Sequence, residues 1–218
     1  MSDPKPEPQP EGQEKANEDT PPRRFLHKAG RTVDPRINRL QTGYLAGQPA
    51  ARRDLAELRR AVGREPGENP EIWVLTDVPG PSHQEEPTAE EWAVHIALCL
   101  YGLHQQGRSS PAHKPGRPFA QAVRGVAGEQ AERSPIWRRF TAALLADDIV
   151  SMREHLLGIV GQMHSKKAYT PFDYATFADD LVRIQQPEGA PVVRLRWQRD
   201  FYLDPEPDNH NTKEQAGE

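Results

Sequence analysis

An all-α fold, a helical bundle, is what this sequence predicts, on three observations. From residue 35 to residue 203 the apolar residues recur at intervals of three and four, the period that lines one face of a helix. Three of these periodic runs open on helix-start chemistry: Thr88 with Glu91 three residues on, Ser134 followed by Pro135, and Thr170 followed by Pro171. Only one segment, 192–203, alternates as a strand would, and a lone strand leaves its backbone groups without a partner.

Along the chain, the first two helices are expected from Pro35 to Leu45 and from Pro49 to Val62, the second burying Leu55, Leu58 and Val62. "TAEEWAVHIALCLYGLHQQG" opens on the capping box of Thr88 and Glu91. It sets Trp92, Ile96, Cys99, Leu100 and Leu103 along one face and closes at Gly107. A shorter helix is expected from Pro118 to Ala131. In "SPIWRRFTAALLADD" Ser134 is the N-cap and Pro135 the first helical residue, so Trp137, Phe140 and Leu144 form the buried face. "DIVSMREHLLGIVGQMH" continues with Ile149, Met152, Leu156, Ile159 or Val160, and Met163. Thr170 caps the next helix, Pro171 leads it, and Tyr174, Phe177, Leu181 and Ile184 line its face. "VVRLRWQRDFYL" is ambiguous by period, because Val193, Leu195 and Trp197 alternate while Trp197 and Phe201 stand one helical turn apart; helix is the reading adopted. Loops fall in the Pro- and Gly-rich stretches 63–70, 77–87 and 107–115, and the last of these separates two small helical subdomains, 23–110 and 111–203. No repeat of fixed period is visible.

The flanks differ in kind from the body. Residues 1–20 set two lysines against six acids and residues 204–218 one lysine against five, so each end carries −4. Rich in Pro, Glu, Gln, Asn and Asp and nearly free of large apolar residues, the tails 1–22 and 204–218 cannot offset the entropy of ordering and are expected to be disordered. With a net charge of −4 for the whole chain, the body between them is +4, and residues 23–60 alone hold ten Lys or Arg against three acids. Such a bias favours an anionic partner. The longest mostly apolar run, 93–103, contains His95 and falls short of the roughly 20 residues needed to cross a bilayer. The first 24 residues have no apolar stretch of the secretory kind, and the single cysteine, Cys99, excludes an internal disulfide framework and any multi-cysteine zinc site. A reduced, cytoplasmic protein with no membrane partner is therefore expected.

Candidate catalytic groups do not converge. Asp147 and Asp148, like Asp179 and Asp180, are helix neighbours that point about 100° apart, so neither pair can serve one substrate atom as acid and base; they read as capping or solvated groups. His95 and Cys99, four apart, offer two ligands with no second half-site, and a core histidine beside a buried cysteine is the better reading. No GxSxG, HExxH or GxxxxGK[ST] is present. "GIVG" at 158–161 copies the GxxG of certain RNA-binding loops but lies inside an apolar helical pattern, where close packing explains the glycines. No catalytic residue, metal site or cofactor is assigned.

Basic residues carry the remaining signal. Arg138 and Arg139 flank the Trp137/Phe140 face, so burying those aromatics projects both guanidinium groups outward. Lys166 and Lys167 end the following helix, where they also complement its dipole. Arg52, Arg53, Arg59 and Arg60 punctuate the non-apolar side of the 49–62 helix, Arg117 opens the 118–131 helix, and Arg124 lies along it. Outward arginines and helix N-termini together hold phosphates without reading bases.

The ordered blocks "ARRDLAELRRA" (51–61), "GRPFAQAVR" (116–124), "RRFTAALLADD" (138–148), "FDYATFADDL" (172–181) and "RLRWQRDFY" (194–202) resemble the CasB family, which supplies the small subunit of the type I-E CRISPR surveillance complex, Cascade. The similarity spans roughly residues 36–203. It implies an all-helical protein with no catalysis and no cofactor, present as two copies. Its partners would be the backbone and large subunits, the guide RNA, and the target and displaced DNA strands of the R-loop. By the same resemblance Arg138, Arg139, Arg117, Arg59 and Arg60 would face nucleic acid; Arg52, Arg53, Arg124, Lys166 and Lys167 are added from charge placement alone. The same arginines would equally serve a purely structural adaptor, paired with acids of neighbouring proteins.

Overall fold

Helices account for every extended regular element among residues 24–80, 84–165 and 170–203, which the computed structural model describes. In chain order they are α1 (Lys28–Leu45), α2 (Pro49–Arg60), α3 (Trp73–Thr76), α4 (Ala89–Gln105), α5 (Phe119–Ala127), α6 (Pro135–Leu145), α7 (Ile149–Ser165), α8 (Tyr174–Ile184) and α9 (Ala190–Tyr202). Short 3-10 turns at Pro70–Ile72 and Ala131–Arg133 lead into α3 and α6. The acidic ends expected to be disordered, and Lys166 and Lys167, lie outside the described residues.

The near-continuous apolar run in α4 marks the centre of the molecule. Thirteen of its seventeen residues are buried because α1, α2, α7 and α8 all pack on it, which is why its apolar character runs all round. Its start is the capping box read from the sequence: Thr88 Oγ1 accepts from the Glu91 N–H, and the Glu91 carboxylate accepts from the Thr88 N–H. Gly102 allows α2 to close on α4, since a Cβ there would sit 3.1 Å from both the Leu55 carbonyl oxygen and Leu58 Cβ. A second focus is aromatic. Phe119 of α5, Phe140 of α6, Phe177 of α8 and Trp197 of α9 meet with ring centroids 4.8–6.3 Å apart. Buried residues on both sides of the 107–117 connection belong to one continuous core.

That connection is held by side chains that replace missing backbone partners. Gln105 Oε1 accepts from the Ala112 N–H at 2.8 Å and its Nε2 donates to the Ser110 carbonyl at 3.1 Å. Gln41 of α1 brackets the backbone of His113 with one bond each way, at 2.9 and 3.2 Å. An isolated parallel bridge pairs His113 with Phe172, through Phe172 N–H to Ala112 and Lys114 N–H to Phe172.

This bridge corrects one boundary. Thr170 and Pro171 do not start a helix, because Phe172 behind them is drawn into the bridge with the 112–114 segment; the N-cap is Asp173, which accepts from the N–H groups of Ala175 and Thr176. A second correction concerns α1, which begins at Lys28 and runs through Pro35. Proline removes one helical hydrogen bond there, yet Ala29, Val33, Ile37 and Leu40 bury a single stripe, and packing of that stripe outweighs the local loss. The α5 helix stops at Ala127, where Gly128 turns at φ +75°. The ambiguous 192–203 segment is helical through Tyr202 as part of α9, with Val193, Trp197 and Phe201 buried at four-residue spacing and Leu203 an extended C-cap.

Candidate nucleic-acid interface

Ser134 caps α6 by accepting from the Trp137 N–H, and Pro135 occupies the first turn, as their order in the sequence predicts. That start fixes the helix phase. Ile136, Phe140, Ala143 and Leu144 turn inward, Trp137 is half-buried against Phe140 and Phe201, and Arg138 and Arg139 emerge side by side into solvent. Among the described residues neither arginine makes an ion pair. Arg139 also rests across α7: a Cβ on Gly158 would meet its Nη1 at 2.7 Å and its Cδ at 3.0 Å, so the bare backbone of Gly158 seats the guanidinium end of the side chain. Close packing therefore accounts for Gly158, while nothing lies within 4 Å of a Cβ at Gly161.

Of the other sequence-derived cations, α5 and α2 hold theirs differently. Arg124 Nη1 donates to the Gly128 carbonyl at 2.5 Å and so closes its own helix. Arg117 is half-buried, and its carbonyl accepts from the Asp173 N–H at 2.8 Å. Arg53 pairs with Asp54 at 3.3 Å and Arg60 pairs with Glu57, whereas Arg52 is exposed and Arg59 half-buried. The helix α2 packs on α1 and α4, and α6 on α5 and α7, so the two arginine sets belong to different helix pairs. Arg133 was not singled out from the sequence. It is exposed immediately before the Ser134 cap and lines a cavity of about 450 Å³ beside the start of α6, together with Arg124, Tyr202 and the carboxylates Glu129 and Glu132. Its position one residue before an N-cap was the available signal. The exposed cations at the start of α6 are thus Arg133, just before its cap, and Arg138 and Arg139 on the helix itself.

Of the acidic residues weighed for catalysis, Asp147 is exposed and the other three have structural partners. Asp148 accepts from Ser151 N–H at 2.8 Å and starts α7. Asp179 accepts from the N–H groups of His27 and Gly30, both at 2.7 Å, and so caps α1 from across the interface. Asp180 pairs with Arg196 and accepts from Trp197 Nε1 at 2.7 Å; burial nevertheless pushes its carboxyl up. His95 and Cys99 are both buried, 3.7 Å apart. Among the described residues no group of three or more His, Cys, Asp or Glu side chains is placed to hold a metal, and no helix is long and apolar enough to cross a membrane.

An interior polar network positions the strap before α1. Arg24 donates to both oxygens of the fully buried Asp173 at 2.6 and 2.7 Å and to Asp34 at 2.6 Å. Asp173 also accepts from the Gly116 N–H at 2.8 Å. His113 Nδ1 accepts from the Tyr174 N–H, so its proton sits on Nε2, facing Asp34 at 3.7 Å. His113 and Arg24 together hold the Asp34 carboxyl below the usual range, against the opposing effect of burial.

Comparison with known proteins gives this geometry a context. The family model for CRISPR-associated protein Cse2 matches residues 54–202, from within α2 to the end of α9. The crystal structure of CasB from Thermobifida fusca superposes with a TM-score of 0.71 at 30% identity, covering 82% of this chain and 100% of that one. Two structures from Thermus thermophilus, a CRISPR-associated protein of the Cse2 family and CasB, superpose with TM-scores of 0.59 and 0.58, each at 29% identity. They cover 80% and 81% of this chain, and 97% and 99% of their own lengths. No curated protein sequence matches the chain. The helical order, the match over most of the chain and the full-length similarity to CasB agree: this protein belongs to the Cse2 (CasB) family of CRISPR-associated proteins.

Proposed function

We propose that the chain is the non-catalytic small subunit of a type I-E Cascade complex, acting in the cytoplasm in antiviral defence. It supports the guide RNA–target DNA R-loop by gripping phosphates without regard to sequence. Two copies line the complex against its backbone and large subunits and carry the target and displaced strands. The observation that supports this most is the pair Arg138 and Arg139, exposed on α6 and unclaimed by any acid among the described residues. A guanidinium fork free of protein partners suits phosphate oxygens. Guide pairing supplies specificity, so base readout by this subunit would serve no purpose.

The test is charge reversal in the assembled complex. Arg138→Glu with Arg139→Glu is expected to weaken retention of target DNA by about tenfold or more while the subunit still co-purifies in its usual ratio. Loss of assembly with DNA affinity unchanged per intact complex would instead assign the pair to protein neighbours and favour the adaptor reading.

A further inference from the structure

A groove of about 680 Å³ opens between the start of α1, α8 and Arg196 of α9, and none of the cations singled out from the sequence lines it. One wall is Phe25, at 82% the most exposed large apolar side chain among the described residues. The backbone that presents it is tied down on both sides. Arg24 donates to Asp173 and Asp34, and the His27 N–H donates to Asp179 at 2.7 Å. The His27 ring meets the phenyl edge to face, with centroids 5.0 Å apart. An apolar ring shown to water on a fixed backbone is the usual form of an interface anchor.

Charge in the groove selects the occupant. Lys28, Arg31 and Arg183 line it, all exposed and none in an ion pair or side-chain hydrogen bond among the described residues. Three carboxylates line it as well, but two are already used. Asp179 accepts from the His27 and Gly30 N–H groups, and Asp180 pairs with Arg196 and accepts from Trp197 Nε1. Glu90, half-buried in the first turn of α4, is the one left against three uncommitted cations, so the groove favours an anion. The same carboxylates decide which anion. A nucleic-acid strand carries a charge at every nucleotide and is penalised by each carboxylate it passes, whereas a peptide can set acids only opposite the cations and apolar side chains against Phe25. Gln186, exposed on the wall, adds an amide able to donate to and accept from a peptide backbone.

We propose that this groove docks an acidic segment of a partner protein, with Phe25 packing on an apolar side chain of that segment and Lys28, Arg31 and Arg183 pairing with its carboxylates. The proposal goes beyond the nucleic-acid reading and rests on none of its residues. The test uses the full chain, a blocked nine-residue peptide of three Glu-Leu-Gly repeats and a nine-nucleotide oligothymidylate, with both affinities measured by calorimetry at low salt. In the variant Phe25→Ala/Arg31→Gln/Arg183→Gln, all exposed positions, the peptide dissociation constant should rise by about tenfold, and in Phe25→Ala alone by about threefold. Removing two exposed cations outside the groove, Arg39→Gln/Arg64→Gln, should change it by less than about twofold. The oligothymidylate constant should change no more in the groove variant than in that control. Equal peptide weakening in the groove variant and the control would reduce the effect to net charge and overturn the proposal, as would a Phe25→Ala protein that binds the peptide like its parent, or no peptide binding by the unmodified protein. A larger loss for oligothymidylate than for the peptide would overturn it in favour of a nucleic-acid surface.

Discussion

Asp173 does at one residue what several loops would otherwise need. Its two oxygens terminate Arg24, the Gly116 N–H and the first turn of α8, so one buried carboxylate joins the strap before α1, the 107–117 connection and a helix start. Removing it strands the Arg24 guanidinium beside Asp34 alone and leaves buried N–H groups open. Asp173→Ala should therefore cost about 3–5 kcal/mol in urea unfolding, and Asp173→Asn less, since an amide oxygen still caps α8. A cost below about 1 kcal/mol for the alanine variant would contradict this role. His104 contributes to the acid limit, as does the buried His95, whose pKa burial also lowers. His104 is fully buried, its Nδ1 lies 3.1 Å from the Tyr174 hydroxyl, and burial takes its pKa from 6.5 down to about 3. The folded state then binds fewer protons than the unfolded one between those values. Stability is complete above about pH 6.5 and falls by roughly 1 kcal/mol for each pH unit below it. Ring resonances of His104 should stay flat between about pH 8 and pH 5 while the urea midpoint drops; titration of that ring near pH 6.5 would refute the assignment.

Elements differ in how far their sequences disclose them. The starts of α4 and α6 were legible because the cap and the buried face are local properties: Thr88 with Glu91, and Ser134 with Pro135, act within one turn. The start of α8 was not: Thr170 was read as its cap, and a non-local contact, the pairing of Phe172 with the 112–114 segment, moves the start to Asp173. Pro35 misled for a related reason: the α1 stripe gains its stability from α4 and α8, which local propensity does not see. The outward direction of Arg138 and Arg139 followed from the α6 period alone, but the seat of Arg139 on Gly158 required knowing that α6 and α7 pack together. That seat is testable. Gly158→Ala should leave stability unchanged or raise it by up to about 1 kcal/mol, as expected for a helical glycine, while displacing Arg139. Under the proposed function, DNA retention by the complex falls severalfold in a protein that melts no lower than its parent. Unchanged retention would mean that the placement of Arg139 is immaterial.

At the scale of the molecule, the chain carries −4 overall, yet Arg138 and Arg139 stand exposed on α6 with no ion pair among the described residues, while Glu65, Glu68, Glu85 and Glu86 come together at a cavity beside α3. The sequence showed the first grouping, since Arg138 and Arg139 are adjacent in the chain. It hid the second, because Glu65 and Glu85 are twenty residues apart and meet only when the segments around α3 fold back on α4. Helix α1 lies outside the Cse2 family match at 54–202, yet it supplies Asp34 and Gln41 to the polar network under the 107–117 connection. The most direct measurement of the central claim is DNA binding by the purified surveillance complex, with and without this subunit, across a salt series. For single-stranded DNA, about four phosphate contacts predict that the subunit steepens log K against log salt by about 3. Loss of that slope and of R-loop stability on omitting the subunit is the expected result. Guide-dependent binding that survives with the same slope would contradict it and leave the arginines to protein neighbours.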